Sequence, residues 1–189
     1  MPNWLVITLL AAGGLFAIKI IYALSIAVVL PATGGALFVA TSPKRIAAFL
    51  DAVPMRTGQV FVDLGCGDGR VLRHVCKRYP VKARGYEINP LAYALARLRC
   101  VGSPGIEIRL ANFWKADLSE ADIIFCYLYP DIMKEIAPKL FRRLKPGVTV
   151  VSCNFPVPGH PTDRVLRPSG ALNGDPIFIY KIQPSPPEA

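Results

Sequence analysis

No two cysteines in this chain are spaced as CxxC, and their number is odd: Cys66, Cys76, Cys100, Cys126 and Cys153. That pattern speaks against a disulfide framework and against a zinc site, and it fits reduced thiols in a cytosol-like compartment. Only two histidines occur. His74 falls in a helical pattern and His160 in a loop; both read as structural or exposed, and no His–Asp pair or metal site is evident. There is no internal repeat. Basic residues outnumber acidic ones, 22 to 13, for a formal net charge of +9. They are scattered, and no run resembles a nucleic-acid arm. The excess points to an acidic partner, either an anionic membrane surface or a specific polyanion site.

Charge is scarcest at the N-terminus. From Trp4 to Ala40 the only charged side chain is Lys19, and Leu5 to Leu30 holds fifteen Leu, Ile, Val or Phe residues. Each contributes about −0.3 to −0.6 kcal/mol to insertion near a helix centre, against about +2.5 to +3.5 for one lysine. The sum favours a transmembrane helix, for which about 20 residues suffice, with Lys19 snorkelling and Pro31, Gly34 and Gly35 ending the span. A cleaved signal peptide needs a positive segment before the apolar run, which is missing; a buried core helix is the other alternative. Lys44, Arg45 and Arg56 follow the span and no charge precedes it, so the positive-inside tendency places the rest in the cytoplasm as a single-pass protein. The 189 residues then divide into an anchor and connector (1–36), a globular domain (37–183) and a disordered tail (184–189).

From Gln59 onward apolar runs alternate with helical patterns. QVFVDLG reads as a buried strand and Arg70 to Arg78 as a helix. KARGYEI is a second strand, and Pro90 opens a helix running to about Cys100. IEIRLAN and ADIIFCYL are further strands, ending at Asn112 and Leu128. The segment from Ile132 to Leu144 is helical with a kink near Pro138, and VTVVSCNF is a fifth strand. DRVLRP and PIFIYKI pair antiparallel at the sheet edge. This is an α/β, Rossmann-like doubly wound sheet, whose ligands bind at the carboxyl ends of the strands, where the strand order reverses.

The chemistry gathers there. In VDLGCGDGR a strand ends in Asp63, and Gly65, Cys66, Gly67 and Gly69 turn the chain into a helix. Glycine lets the backbone turn tightly beside a ligand, and a helix N-terminus offers free N–H groups. The dinucleotide fingerprint GxGxxG fails, because Arg70 stands where its last glycine belongs. Asp63 and Asp68 would repel a pyrophosphate but suit a zwitterionic amino acid such as that of S-adenosylmethionine, which carries an ammonium and a sulfonium and no phosphate. Glu87, 22 residues after Gly65, is placed to accept hydrogen bonds from ribose hydroxyls. After the third strand, Asn112 would hydrogen-bond an adenine edge and Phe113 or Trp114 would stack on it.

In these motifs the chain resembles the small class I lysine methyltransferases that modify the ATP-synthase c-subunit and the adenine nucleotide translocase. The resemblance covers roughly residues 37–182: LFVATS after the membrane segment, VDLGCGDGRV, GYEINPLAYALARL, FWKADL and VVSCNFPVP. It implies a seven-stranded methyltransferase sheet, S-adenosylmethionine as cofactor held by Asp63, Gly65, Gly67, Gly69 and Glu87, and methylation of a protein lysine near a membrane. Two departures stand out. Asn112-Phe113-Trp114 replaces the usual Asp-Leu-Trp, and Asn154 occupies a position where Arg is common. Transfer from a sulfonium to a neutral amine needs proximity and desolvation and no metal. Tyr127 and Tyr129 would wall the amine, Asn154 would orient it, and Phe38, Thr41 and Ser42 would close over it. Methylation of an aminolipid or small molecule, and a non-catalytic membrane-bound scaffold, are the alternatives. Nucleic acid is not expected as substrate, because Tyr127-Leu128-Tyr129-Pro130 lacks the Asn/Asp-Pro-Pro-aromatic motif of base amino-group methylases.

Overall fold

The computed structural model describes residues 2–29, 39–168 and 175–183. Phe38, the 36/37 domain boundary and the 184–189 tail lie outside them. The chain divides into two compact units, Met1–Leu37 and Phe38–Ala189.

The described part of the first unit holds the helix α1 (Asn3–Val29), of 27 residues, about 40 Å at 1.5 Å per residue. Its Asn3–Ile21 stretch has a mean hydropathy of 2.2 and no buried residue. By length and composition it can cross a bilayer. Thr8 donates its hydroxyl to the Trp4 carbonyl at 2.8 Å, which satisfies the one hydroxyl in that part of the helix internally.

The second unit is built as α2 (Pro43–Ala52), β1 (Val60–Leu64), α3 (Arg70–Arg78), β2 (Lys82–Glu87), α4 (Pro90–Arg99), β3 (Ile106–Leu110), β4 (Ile123–Cys126), α5 (Pro130–Lys139), β5 (Thr149–Cys153), β6 (Arg164–Leu166) and β7 (Ile177–Lys181). The strands form one seven-stranded sheet in the order β3-β2-β1-β4-β5-β7-β6. β1 to β5 pair in parallel; β7 runs antiparallel to both β5 and β6, as expected for the two late runs.

β1 and β4 are near-continuous apolar runs because helices cover both faces. Alternate residues feed two apolar layers. Phe61, Phe125 and Val151 meet Ile46 and Phe49 of α2 and Leu72 and Val75 of α3, with the Phe49 and Phe125 rings 5.0 Å apart. Val62, Ile124 and Val150 meet Met133, Ile136 and Leu140. α2 has no counterpart in the sequence reading, although Ser42 caps it, Pro43 opens it, and Ile46, Phe49 and Leu50 form its buried stripe.

The kinked helix over 132–144 is corrected. α5 begins earlier, at Pro130, and stops at Lys139; a 3-10 turn over Phe141–Arg143 follows. Pro138, which has no N–H to donate, is the penultimate residue of α5, and the chain passes there into the 3-10 turn instead of bending on as one helix.

Candidate active site

From β1 the chain builds outward through β2 to β3, then crosses back to β4 on the other side of β1. The crevice at the carboxyl ends of β1 and β4 is therefore the switch point of the sheet. The loop from Gly65 to Gly69 leads out of it. Gly65 and Cys66 donate their N–H groups to the Tyr86 carbonyl at 2.9 and 3.0 Å, and Gly69 to the Cys66 carbonyl at 2.9 Å. The loop is thus folded onto the end of β2 by its own backbone.

The three glycines do different work. Gly65 is exposed at φ 78°, so backbone borders the crevice where a side chain would otherwise stand. Gly69, at φ 73°, allows α4 to approach: a Cβ there would meet the Cys100 sulfur at 2.9 Å and the Ala96 Cβ at 3.3 Å. Its role is packing, as the third glycine of such loops serves in other doubly wound folds. The Cys66 thiol is buried among the apolar side chains above the sheet, and burial together with the Asp63 and Glu87 carboxylates pushes its pKa up. Only the backbone of Cys66 is available to a ligand.

Glu87 is 8% exposed. Its Oε2 accepts from Gly67 N–H at 2.8 Å, and its Oε1 accepts from Ile88 and Asn89 N–H at 2.9 and 2.8 Å. A carboxylate offers about four lone-pair directions; one, on Oε2, remains. Asp63 is 2% exposed, and among the described residues no hydrogen bond or ion pair reaches its carboxyl. Burial, then the nearby Glu87 and Asp68 carboxylates, hold it well above the usual carboxylate range. A cation placed beside it would relieve that cost.

Asp68 departs from its expected part. Arg70 binds it at 2.8 Å and Arg99 forms a second, closer ion pair with it. Burial raises its pKa, but the guanidiniums prevail and hold it below the ordinary value. Its charge is already matched inside the protein, so the repulsive field rests on Asp63 and Glu87.

Asn112 follows β3. Its Oδ1 accepts from Trp114 N–H at 3.0 Å, capping a short 3-10 turn, and its amide NH2 has no partner among the described residues. Phe113 and Trp114 are half-buried, 4.8 Å apart and tilted by 44°. Tyr127 and Tyr129 follow β4, both half-buried; Tyr129 begins α5. Asn154 follows β5 at φ 73°, the one non-glycine with positive φ among the described residues, a conformation that Asn tolerates better than most side chains.

The sequence reading missed the part Arg45 plays here, having placed it only among the positive residues that follow the apolar span. This residue is 6% exposed. It donates from Nη1 to the Tyr127 hydroxyl at 3.0 Å, lies 5.4 Å over that ring and is ion-paired with Asp175, while its Nε finds no partner among the described residues. Thr41 is also buried, and its carbonyl accepts from Arg70. The segment expected to close over the site is thus tied to α3 by Thr41 and to the end of β4 by Arg45. Only contacts between residues 29 and 82 positions apart reveal this, and no local pattern marks them.

A 3-2-1-4-5-7-6 sheet with a reversed seventh strand, an acid closing β1, a glycine loop and an acid closing β2 define a class I methyltransferase. Residues 63–164 match the model of the ANTKMT methyltransferase domain, and the chain belongs to that family. It is 32% identical over 149 residues to a protein-lysine N-methyltransferase of Saccharolobus islandicus, covering 77% of this chain and 92% of the relative. It is 31% identical over 169 residues to the human lysine N-methyltransferase of the ATP-synthase c-subunit, covering 86% and 70%. Among solved structures, an RNA methyltransferase of Salinibacter ruber in complex with S-adenosyl-L-homocysteine superposes with a TM-score of 0.72 at 29% identity, covering 80% of this chain and 98% of that one. The residues present fit S-adenosylmethionine: a buried carboxyl that meets no partner among the described residues and could face a cation, a spare acceptor on Glu87 for a hydroxyl, and bare backbone at Gly65.

Proposed function

We propose that this chain methylates a lysine side chain of a membrane-associated protein, with S-adenosylmethionine as donor. The buried Asp63 carboxyl, which meets no hydrogen bond or ion pair among the described residues, carries the reading, because burial penalises its charged form unless a cation occupies the crevice. When bound, the cofactor supplies a methyl group on a positively charged sulfur. Asp63 balances the cationic amino-acid end, and the free lone pair on Glu87 takes a ribose hydroxyl. The Asn112 amide meets the adenine edge beside Phe113. Gly65, Cys66 and Gly67 border the cofactor through backbone atoms, while Gly69 keeps α4 close.

The acceptor lysine, with an ordinary pKa near 10.4, must arrive neutral. Tyr127 and Tyr129 strip water from it, which favours the uncharged amine, and Asn154 orients the lone pair toward the methyl group. The Saccharolobus and human relatives, both lysine N-methyltransferases by name, support this acceptor.

α1 serves as a single-pass anchor, with 37–183 as the catalytic domain on the cytoplasmic side. Tethering raises the effective concentration of membrane-bound targets without any new contact.

Mass spectrometry of membrane proteins from cells with and without the chain tests the reading. A lysine mass shift should depend on the chain and fall sharply with Asp63→Asn. Glu87→Ala should abolish it, but Glu87 holds three loop N–H groups, so that variant also disturbs the loop. Labelled methyl recovered in lipid extract or in RNA, and none in protein, would reject lysine methylation. The RNA arm matters because the Salinibacter protein is an RNA methyltransferase.

A further inference from the structure

We infer that the far end of α4 and the groove beside it form a docking face for an anionic lipid surface. α4 turns Ala92, Ala96 and the adjoining Cys100 toward the sheet. Its opposite side carries Leu91, Ala94 and Leu98, and Val101 continues the line at the i, i+3, i+7, i+10 spacing of one helix face. Leu98 is 71% exposed and Val101 76%. Single exposed apolar side chains are ordinary, whereas a contiguous line of them marks an interaction surface.

Directly after Val101, Gly102, Ser103 and Pro104 of the loop after α4 face Arg73, His74 and Lys77 of α3 across a groove of about 410 Å³. Arg70, Arg78 and Arg99 are ion-paired. Arg73, Lys77 and Arg97 have no carboxylate partner among the described residues. From Gly69 to Ile106 eight Lys or Arg stand against one acid, Glu87, which is buried and bonded to backbone.

An apolar tip beside a basic trough matches a lipid surface: the apolar side chains enter below the headgroups while the cations stay among the phosphates. RNA would satisfy the trough but leave Leu98 and Val101 in water. A second copy of the chain would bring two like-charged faces together. The crevice opens at the other end of α4, next to Glu87 and Asn89, so docking leaves it accessible. The inference extends the membrane setting proposed above and does not depend on which group is methylated.

The test uses the full chain carrying Leu98→Trp, reconstituted into vesicles of phosphatidylcholine alone or mixed with phosphatidylglycerol, some with brominated acyl chains. The unsubstituted chain provides the background from Trp4 and Trp114. In anionic vesicles the added indole should shift to the blue and be quenched by bromine; in neutral vesicles it should not. Arg73→Ser with Lys77→Ser should weaken docking roughly 30-fold, at about 1 kcal/mol per cation near the surface, and high salt should do the same. Equal quenching in both vesicle types, no quenching in either, or a response to RNA in detergent without one to anionic vesicles would overturn the inference. Flotation with neutral vesicles reads the α1 anchor separately, and methyl transfer reads the catalytic proposal, so the three can fail independently.

Discussion

Replacing Asp63 by Asn should move stability and cofactor binding in opposite directions. In the free protein the carboxyl is buried at 2% exposure, and its pKa is raised above the ordinary 3.8 first by burial and then by Glu87 and Asp68. The folded state therefore holds that proton more tightly than the unfolded chain. The associated stability is complete below the unfolded value and is lost as pH rises through the folded one. An amide in place of the carboxyl keeps the shape without this loss, so the free Asp63→Asn variant should melt above the parent at neutral pH, and the difference should close in acid. With cofactor the sign reverses. One charge-assisted hydrogen bond to a cation disappears, worth about 1.5–3 kcal/mol, so binding should weaken roughly 10- to 150-fold. Parent binding should strengthen as pH rises and release a proton below the folded pKa; variant binding should do neither. Thermal melts across pH and calorimetry in buffers of different ionisation enthalpy, on the full chain in detergent, read both effects. A variant that binds as tightly as the parent, or melts lower without ligand at neutral pH, would refute the assignment of Asp63.

Three further outcomes follow from the same geometry. Gly85→Ala would place a Cβ 2.6 Å from a Leu72 methyl and 2.7 Å from the Cys66 sulfur, so overpacking should cost about 1–3 kcal/mol, measured by denaturant unfolding. Asn89→Ala removes the acceptor that caps α4 from Leu91 and Ala92 N–H and should cost about 1 kcal/mol by the same assay. Asn154→Gly suits φ 73° and removes the amide; it should fold at least as stably as the parent while kcat falls, and an unchanged kcat would free Asn154 from any part in orienting the amine.

The site was legible where it is local. Asp63, the glycines and Glu87 are read from strand ends because a buried run that stops in an acid or glycine is a chain-level event. Asp68 was misread because only part of its environment is local: Arg70, two positions on, binds it, but the second ion pair, to Arg99, spans 31 positions, and charge patterning along the chain shows nothing of a partner that distant. The Arg45–Tyr127 and Arg45–Asp175 contacts were invisible in the same way. The kink expected at Pro138 was a matter of degree: the missing N–H is certain from the residue type, but whether the helix bends or stops depends on the packing of the residues beyond it.

Residue order alone settled the alternation of strands and helices, the apolar N-terminal helix and the glycine turn, since each is a matter of backbone freedom and side-chain periodicity over a few residues. Tertiary structure alone decided which buried carboxyl meets no partner among the described residues, which glycine faces the crevice and which one admits α4, and where the cations without a described carboxylate partner collect. Those outcomes depend on distances closed by the sheet between residues far apart in the chain, and burial sets the cost of a charge only once those distances are fixed.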